Sequence, residues 1–254
     1  MEQQYNRIWP VLLVDDEWSD IRDLEGVLRE IASERYSRGS GTKRPVFPVH
    51  ATSPDEAIDY LLKSQKEKTR VSAIICDNHM KDDDFDSIDG DDFLKVITGN
   101  VSYCFRDNDL DRDELESMWS FKELKSYCGI PHSGVMEILE EKFGEKGVNN
   151  YLNFVDYFFD GNNDPALVML CGSPSEVKRE GIEDVFLVQK SISGRKNGLI
   201  KRYTACERIV LDFLVSKGVL PADMTQKILE THPRLSSATP PSGMCFRPLK
   251  EPDE

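Results

Sequence analysis

A run of apolar residues that ends in three consecutive acids constrains this chain more than any other stretch. Residues 10–14 are Pro-Val-Leu-Leu-Val, and residues 15–17 are Asp-Asp-Glu. An uninterrupted apolar run of this kind is typical of a strand buried on both faces in the parallel sheet of an α/β protein. Ligand sites in such sheets form beyond the carboxyl ends of the strands. The sequence therefore places a cluster of carboxylates where an α/β protein carries its site.

A second apolar run repeats this pattern. Residues 71–76 are Val-Ser-Ala-Ile-Ile-Cys, and Asp77 follows them. If the two strands are neighbours, Asp15, Asp16 and Asp77 form one pocket. Crowded carboxylates repel one another, so they tend to be protonated, solvated or neutralised by a bound cation. The sequence predicts a cation pocket, with solvated acids at two strand ends as the alternative.

Helix-like and strand-like segments alternate along most of the chain. Ser53 followed by Pro54 is a strong helix start, and Pro48 favours an edge position for the strand at residues 46–51. Further strands are expected at residues 166–171 and 184–189. The first helix has apolar residues at helical spacing: Ile21, Leu24, Val27, Leu28 and Ile31. This alternation predicts a doubly wound α/β fold with a five-stranded parallel sheet and helices on both faces.

Composition excludes some partners and compartments. The net charge of −14 argues against nucleic acid or an anionic membrane surface as a direct partner. No apolar run approaches the roughly 20 residues that span a bilayer, and the N-terminus lacks the pattern of a signal peptide. The six cysteines contain no CxxC pair. Because Cys76 and Cys171 lie in apolar runs, buried thiols in a cytoplasmic protein are expected.

The sequence also predicts how the chain divides. Residues 98–164 contain several amphipathic helix patterns and little strand character, which predicts an inserted α-helical subdomain. The α/β domain would then comprise residues 1–97 and 165–216. Residues 217–254 would form a C-terminal helix and a mobile, proline-bearing tail.

Taken together, these positions resemble the receiver domain of two-component response regulators over about residues 8–97 and 165–216. The motifs that carry the resemblance, in the family's order, are Val11–Glu17, Asp77, Met80, Asp89-Gly90, Ser173 and Lys190. The resemblance implies a flavodoxin-like sheet with strand order 2-1-3-4-5. It also implies a signalling protein in which any catalysis is limited to self-phosphorylation and autodephosphorylation.

The resemblance assigns a role to each site residue. Asp77 would accept a phosphoryl group, with Ser173 supplying a hydroxyl to that group and Lys190 pairing with it. Asp15, Asp16 and Asp77 would hold Mg²⁺, with the backbone carbonyl of His79 as a further ligand. The phosphodonor would be a histidine kinase or a phosphotransfer protein. A protein partner would receive the signal, and residues 98–164 are among the surfaces it would contact.

The sequence departs from the family pattern at three places. Lys81 and Ser191 stand where the family has prolines. The switch aromatic is expected three residues before Lys190, where this chain has Leu187. Phe186 is one residue out of step, and strand alternation directs it to the opposite face. These departures predict a retained pocket with an altered output switch.

Two other functions fit part of the pattern. A degenerate receiver would keep the pocket and serve as a phosphorylation-independent binding or scaffold module. A Mg²⁺-dependent phosphatase resembling haloacid-dehalogenase-like enzymes would use Asp15 as nucleophile. Such enzymes also need an aspartate two residues after the nucleophile, where this chain has Glu17, and Asp77 would have no assigned role.

The two long additions are expected far from the acids. The basic loop at residues 35–45 and the predicted insertion each join a helix to the next strand, so both should emerge at the amino ends of the strands. We expect a partner-binding surface there in which basic residues face acidic ones. The basic residues are Arg35, Arg38, Lys43 and Arg44, and the acidic ones are Asp107, Asp109, Asp111, Asp113 and Glu114.

Overall fold

A computed structural model of the chain describes most of the predicted α/β domain. The described residues are 10–37, 48–80, 90–99, 149–150, 152–172, 177, 184–190 and 204–231. Their five strands are β1 (Val11–Val14), β2 (Pro48–Ala51), β3 (Ala73–Asp77), β4 (Ala166–Cys171) and β5 (Val185–Gln189). Every strand pair is parallel.

The strand order is β2-β1-β3-β4-β5, which confirms the predicted flavodoxin-like topology. The strands that lead to the two acidic ends are neighbours, with Val14 opposite Cys76. Strand β2 lies at the edge and begins at Pro48. A proline is tolerated at the first residue of an edge strand because no ladder bond needs its missing N–H.

Helices cover both faces of the sheet. They are α1 (Trp18–Ser37), α2 (Pro54–Lys66), α3 (Gly90–Ile97), α4 (residues 152–158), α5 (Thr204–Ser216) and α6 (Ala222–Thr231). Buried residues of α2, α3 and α4 pack in one apolar layer, and those of α1, α5 and α6 pack in the other. No helix in the described ranges is long and apolar enough to cross a membrane.

Local sequence signals explain the helices. The five apolar residues predicted for one face of α1 are all buried. At the start of α2, Ser53 Oγ accepts a hydrogen bond from Glu56 N, and Pro54 occupies the first turn. The Glu56 carboxylate in turn accepts bonds from the N–H and the hydroxyl of Thr52. This reciprocal cap satisfies backbone donors at the helix start and fixes where the chain leaves β2.

The two ends of the predicted insertion meet at the amino ends of the strands. Gly99, with a φ of +85°, lies against the side chain of Val155 on α4. Helix α4 is attached to the start of β3 by an ion pair of 2.7 Å between Arg70 and Asp160. The Tyr157 hydroxyl adds a bond of 3.0 Å to a backbone carbonyl in the same region. The described residues at the two ends of this segment thus lie near the start of β3, at the pole opposite Asp77.

Several predictions fall on residues outside the described ranges. They include the helical character of residues 100–148, the charged surface formed with the basic loop, and the tail from His232. These stay predictions. The loop itself was predicted to begin at residue 35, but α1 extends to Ser37, so residues 35–37 are helical.

Candidate functional site

The carboxyl ends of β1 and β3 bring the three predicted acids together. Asp15, Asp16 and Asp77 each offer one carboxylate oxygen, and these oxygens lie within 4.8 Å of one another. Asp15 and Asp77 are buried, whereas Asp16 is half-buried. The juxtaposition follows from the pairing of two parallel strands that end at the same level, because the residues just beyond them share one edge of the sheet.

Lys190 joins this acidic cluster from the end of β5. Its ammonium lies 2.7 Å from Asp77 Oδ2 and 3.6 Å from Asp15 Oδ2. The backbone N–H of Lys190 donates to the carbonyl of Cys171, the last residue of β4. That bond extends the sheet by one residue and fixes the base of the lysine side chain.

The other two predicted site residues are less closely defined. His79 lies two residues beyond Asp77 with an exposed side chain, and its carbonyl as a metal ligand stays a prediction. Ser173 lies outside the described residues. Gly172, directly before it, is joined to β5 by a bond of 3.1 Å from the Gln189 amide to its carbonyl.

Asp77 is held in place by the next residue along the chain and by the start of α3. The Asn78 N–H donates both to Asp77 Oδ1 at 2.8 Å and to the carbonyl of Leu170 at 2.7 Å. The Gly90 N–H donates to the carbonyl of Asn78 at 2.9 Å. A Cβ atom at Gly90 would overlap the backbone carbonyl of Asp77. Glycine is therefore required for α3 to begin against this strand end.

Hydrogen bonds to several described residues hold Asp15 in place. Its N–H donates to the carbonyl of Ala51 at 3.1 Å, and its Oδ1 accepts from the N–H of Glu17 at 2.7 Å. Its carbonyl accepts from His50 Nε2, 2.8 Å away. The role of His50 was missed from the sequence. The available signal was its position one residue before the end of a strand predicted beside β1.

Charge and burial together determine how this site behaves. Burial raises the pKa of the Asp77 carboxyl above its ordinary value, and the ammonium of Lys190 opposes that rise. Burial and the neighbouring carboxylates also raise the pKa of the Cys76 thiol well above its ordinary value. One ammonium beside three acids leaves an excess of negative charge, which favours a bound cation or protonation.

The donor set fits a hard divalent cation. Carboxylate oxygens are the ligands that Mg²⁺ and Ca²⁺ prefer. Opposite ligands of an octahedral Mg²⁺ lie about 4.2 Å apart and those of Ca²⁺ about 5 Å apart. The three carboxylate oxygens lie within 4.8 Å of one another, a separation compatible with one divalent cation between them.

Phe186 and Leu187 on β5 lie on opposite faces of the sheet, as strand alternation predicted. Phe186 packs in the layer of α1, α5 and α6, and its ring stacks on that of Phe213 with centroids 4.2 Å apart. Leu187 packs in the opposite layer. The aromatic ring is thus held on the face opposite the one that the family pattern requires.

Comparisons with protein-family models, with curated proteins and with solved structures found no match.

Proposed function

We propose that the chain is a receiver-like signalling protein that accepts a phosphoryl group on Asp77 in the presence of Mg²⁺. The observation that carries the proposal is the arrangement around Asp77. A lysine ammonium lies 2.7 Å from one of its oxygens, and the carboxylates of Asp15 and Asp16 lie beside it. A phosphoacceptor carboxylate needs cationic groups around it because the incoming phosphoryl group is also negative.

The residues have complementary parts in this reaction. One Asp77 carboxylate oxygen forms the bond to phosphorus, the bond from phosphorus to the donor breaks, and its electron pair leaves with the donor. The Asn78 N–H and the Lys190 ammonium orient the two carboxylate oxygens. Lys190 then remains close enough to pair with the transferred group. Bound Mg²⁺ would neutralise charge on the phosphoryl oxygens.

The proposed partners are proteins. A histidine kinase or a phosphotransfer protein would supply the phosphoryl group, and the predicted insertion would contact an output partner. Support for this comes from Asp160, near the end of the predicted insertion, which pairs with Arg70 just before β3, away from the carboxylates. Phosphotransfer and output would then use opposite poles of the α/β domain.

A second candidate function is a phosphorylation-independent binding module. The packing of Phe186 favours it, because a ring stacked on Phe213 in the core layer is not placed to move towards the site. In this alternative the pocket still binds a cation and stabilises the fold, but no phosphoryl transfer is needed.

Phosphoryl transfer from a small donor separates these functions. The full chain is incubated with Mg²⁺ and acetyl phosphate, and hydroxylamine-labile phosphate is mapped by mass spectrometry. Incorporation in the wild type that is abolished in Asp77→Asn and survives, at a reduced level, in Asp15→Asn supports the proposal. Binding of Mg²⁺ without incorporation supports the binding module. Catalytic hydrolysis of phosphate esters that requires Asp15 and survives Asp77→Asn supports a phosphatase and overturns the proposal.

A further inference from the structure

The peptide bond between Asp15 and Asp16 joins two of the three acids of the site. Its carbonyl belongs to Asp15, and its orientation sets the direction in which the Asp16 backbone leaves β1. Asp16 is the half-buried member of the cluster. Anything that fixes this peptide therefore fixes how the Asp15 and Asp16 carboxylates face each other and Asp77.

Strand β2 holds this peptide from one side. In the β1–β2 register, Val14 lies opposite Ala51 and Leu13 opposite His50. The Asp15 N–H continues the ladder by donating to the Ala51 carbonyl. The next amide of β2, that of Thr52, donates instead to the Glu56 carboxylate in the cap of α2. The chain is thus turning into helix α2 at this level.

The imidazole of His50 binds the Asp15 carbonyl at this end of the ladder. Its Nε2 lies 2.8 Å from the carbonyl oxygen. Because a carbonyl only accepts hydrogen bonds, Nε2 carries the proton and donates it. The bond is part-buried and joins residues 35 positions apart in the chain. It ties the edge strand to the first residue beyond β1.

We propose that His50 is a positioning residue for the divalent-cation site. Its Nε2–H holds the carbonyl of the Asp15–Asp16 peptide, so that both carboxylates are already oriented before a cation binds. This inference rests on the cation site of the proposed function and adds to it a residue outside the ligand set. Groups that orient metal ligands typically change metal affinity by about tenfold or more when they are removed.

The test compares variants that differ only in the donor at position 50. His50→Leu keeps comparable bulk and removes the donor. His50→Gln restores an N–H donor the same number of bonds from Cα. Mg²⁺ dissociation constants are measured by isothermal titration on the full chain, and Mn²⁺ binding by electron paramagnetic resonance. We expect His50→Leu to bind both ions roughly tenfold more weakly and His50→Gln to recover most of the loss.

Thr52→Val is the matched control. It removes the hydroxyl that bonds Glu56, two residues from His50, and weakens the cap of α2 without touching Asp15. We expect Thr52→Val to lower the midpoint of urea unfolding while leaving Mg²⁺ affinity within about twofold of the wild type.

The outcomes separate the two proposals. If the wild type binds neither ion, the cation site itself is absent and both proposals fail. If the wild type binds and His50→Leu binds as tightly, the positioning role is wrong and the cation site stands. The role is equally wrong if His50→Gln binds as weakly as His50→Leu. Should His50→Leu fail to fold, His50→Asn, whose shorter amide does not reach the carbonyl, replaces it with the same expected loss.

Discussion

The ammonium of Lys190 lies 2.7 Å from Asp77 Oδ2 and 3.6 Å from Asp15 Oδ2, so one ammonium at the end of β5 bridges the last residue of β3 and the first residue beyond β1. Strand β5 is separated from β1 by two intervening strands. The contact therefore depends on the reach of a lysine side chain across the carboxyl edge of the sheet. It makes Lys190 both a stabilising partner for the buried acids and a competitor for an added cation.

Replacing this lysine separates those two effects. In Lys190→Met we expect a loss of about 3 kcal/mol in the free energy of unfolding without divalent cations, because buried carboxylates lose their charge partner. Mg²⁺ should bind roughly three- to tenfold more tightly, since no ammonium charge about 4 Å away opposes the bound cation. Phosphoryl incorporation should fall. Urea unfolding and isothermal titration measure the first two quantities.

Lys217→Met serves as its control. Lys217 lies over the ring of Phe213, and its loss should leave Mg²⁺ affinity unchanged. Unaltered Mg²⁺ affinity in Lys190→Met would contradict the competition argument.

Two glycines give opposite expectations for the same substitution. A Cβ at Gly90 would overlap the Asp77 carbonyl and approach Cys76 Sγ. Gly90→Ala should therefore cost at least about 2 kcal/mol of stability and weaken Mg²⁺ binding by displacing Asp77. A Cβ at Gly26, exposed on α1, would meet nothing within 4 Å. Gly26→Ala should stabilise the protein by about 0.5–1 kcal/mol. The free energies of unfolding of both variants are measured by chemical unfolding. Equal changes in the two variants would contradict the prediction.

Glu207 on α5 should make stability depend on pH. Burial, with a contribution from Asp23, raises the pKa of this carboxyl from 4.5 to about 8, and its Oε2 has no hydrogen-bond partner among the described residues. The unfolded chain loses the proton near pH 4.5, whereas the folded protein keeps it up to about pH 8. Stability should therefore fall as pH rises through that interval and then level off.

Glu207→Gln removes this pH dependence. At pH 8 the variant should be more stable than the wild type by roughly 1–3 kcal/mol, because no buried carboxyl is left to ionise. Near pH 4.5 the two proteins should differ little. Asp212→Asn, at an exposed position on the same helix, should change stability by less than about 0.5 kcal/mol at either pH. Thermal unfolding between pH 4.5 and 8.5 measures the stability of each protein. Parallel curves of stability against pH for wild type and Glu207→Gln would contradict the prediction.

The attachment of α4 can be tested by local exchange. Arg70 pairs with Asp160 and lies over the ring of Tyr157, 5.3 Å from its centroid. Arg70→Met and Asp160→Asn should each raise hydrogen exchange of the α4 amides roughly two- to fivefold. In the double variant, the α4 amides should exchange only slightly faster than in the faster of the two single variants, because both substitutions remove the same ion pair. Fully additive effects would show that the pair is not coupled.

Much of the fold could be predicted from the sequence because the decisive signals are local. Apolar runs ending in acids predicted β1 and β3, and the spacing from Ile21 to Ile31 predicted the buried face of α1. The Ser53-Pro54 pair predicted the start of α2 to the residue. Strand alternation alone predicted that Phe186 and Leu187 lie on opposite faces, and their packing confirms it.

The candidate site was only partly predictable. Its acids and Lys190 could be named because each directly follows an apolar strand. His50 and the packing of Gly90 against Asp77 could not be derived, since each depends on which strands are neighbours and how they are in register. Glu207 gave no signal either, because burial of a single helix position depends on how α5 packs against α1.

The sequence by itself determined the strand ends at Asp15, Asp16 and Asp77, because hydrophobic patterning decides which segments are buried and where charge begins. Only the tertiary structure decided that Lys190 reaches Asp77 and Asp15, and that His50 binds the carbonyl of the peptide between Asp15 and Asp16. Hydrogen bonds and ion pairs of this kind require distances near 3 Å between groups far apart in the chain. Strand order and register set those distances, and patterning along one segment does not encode them.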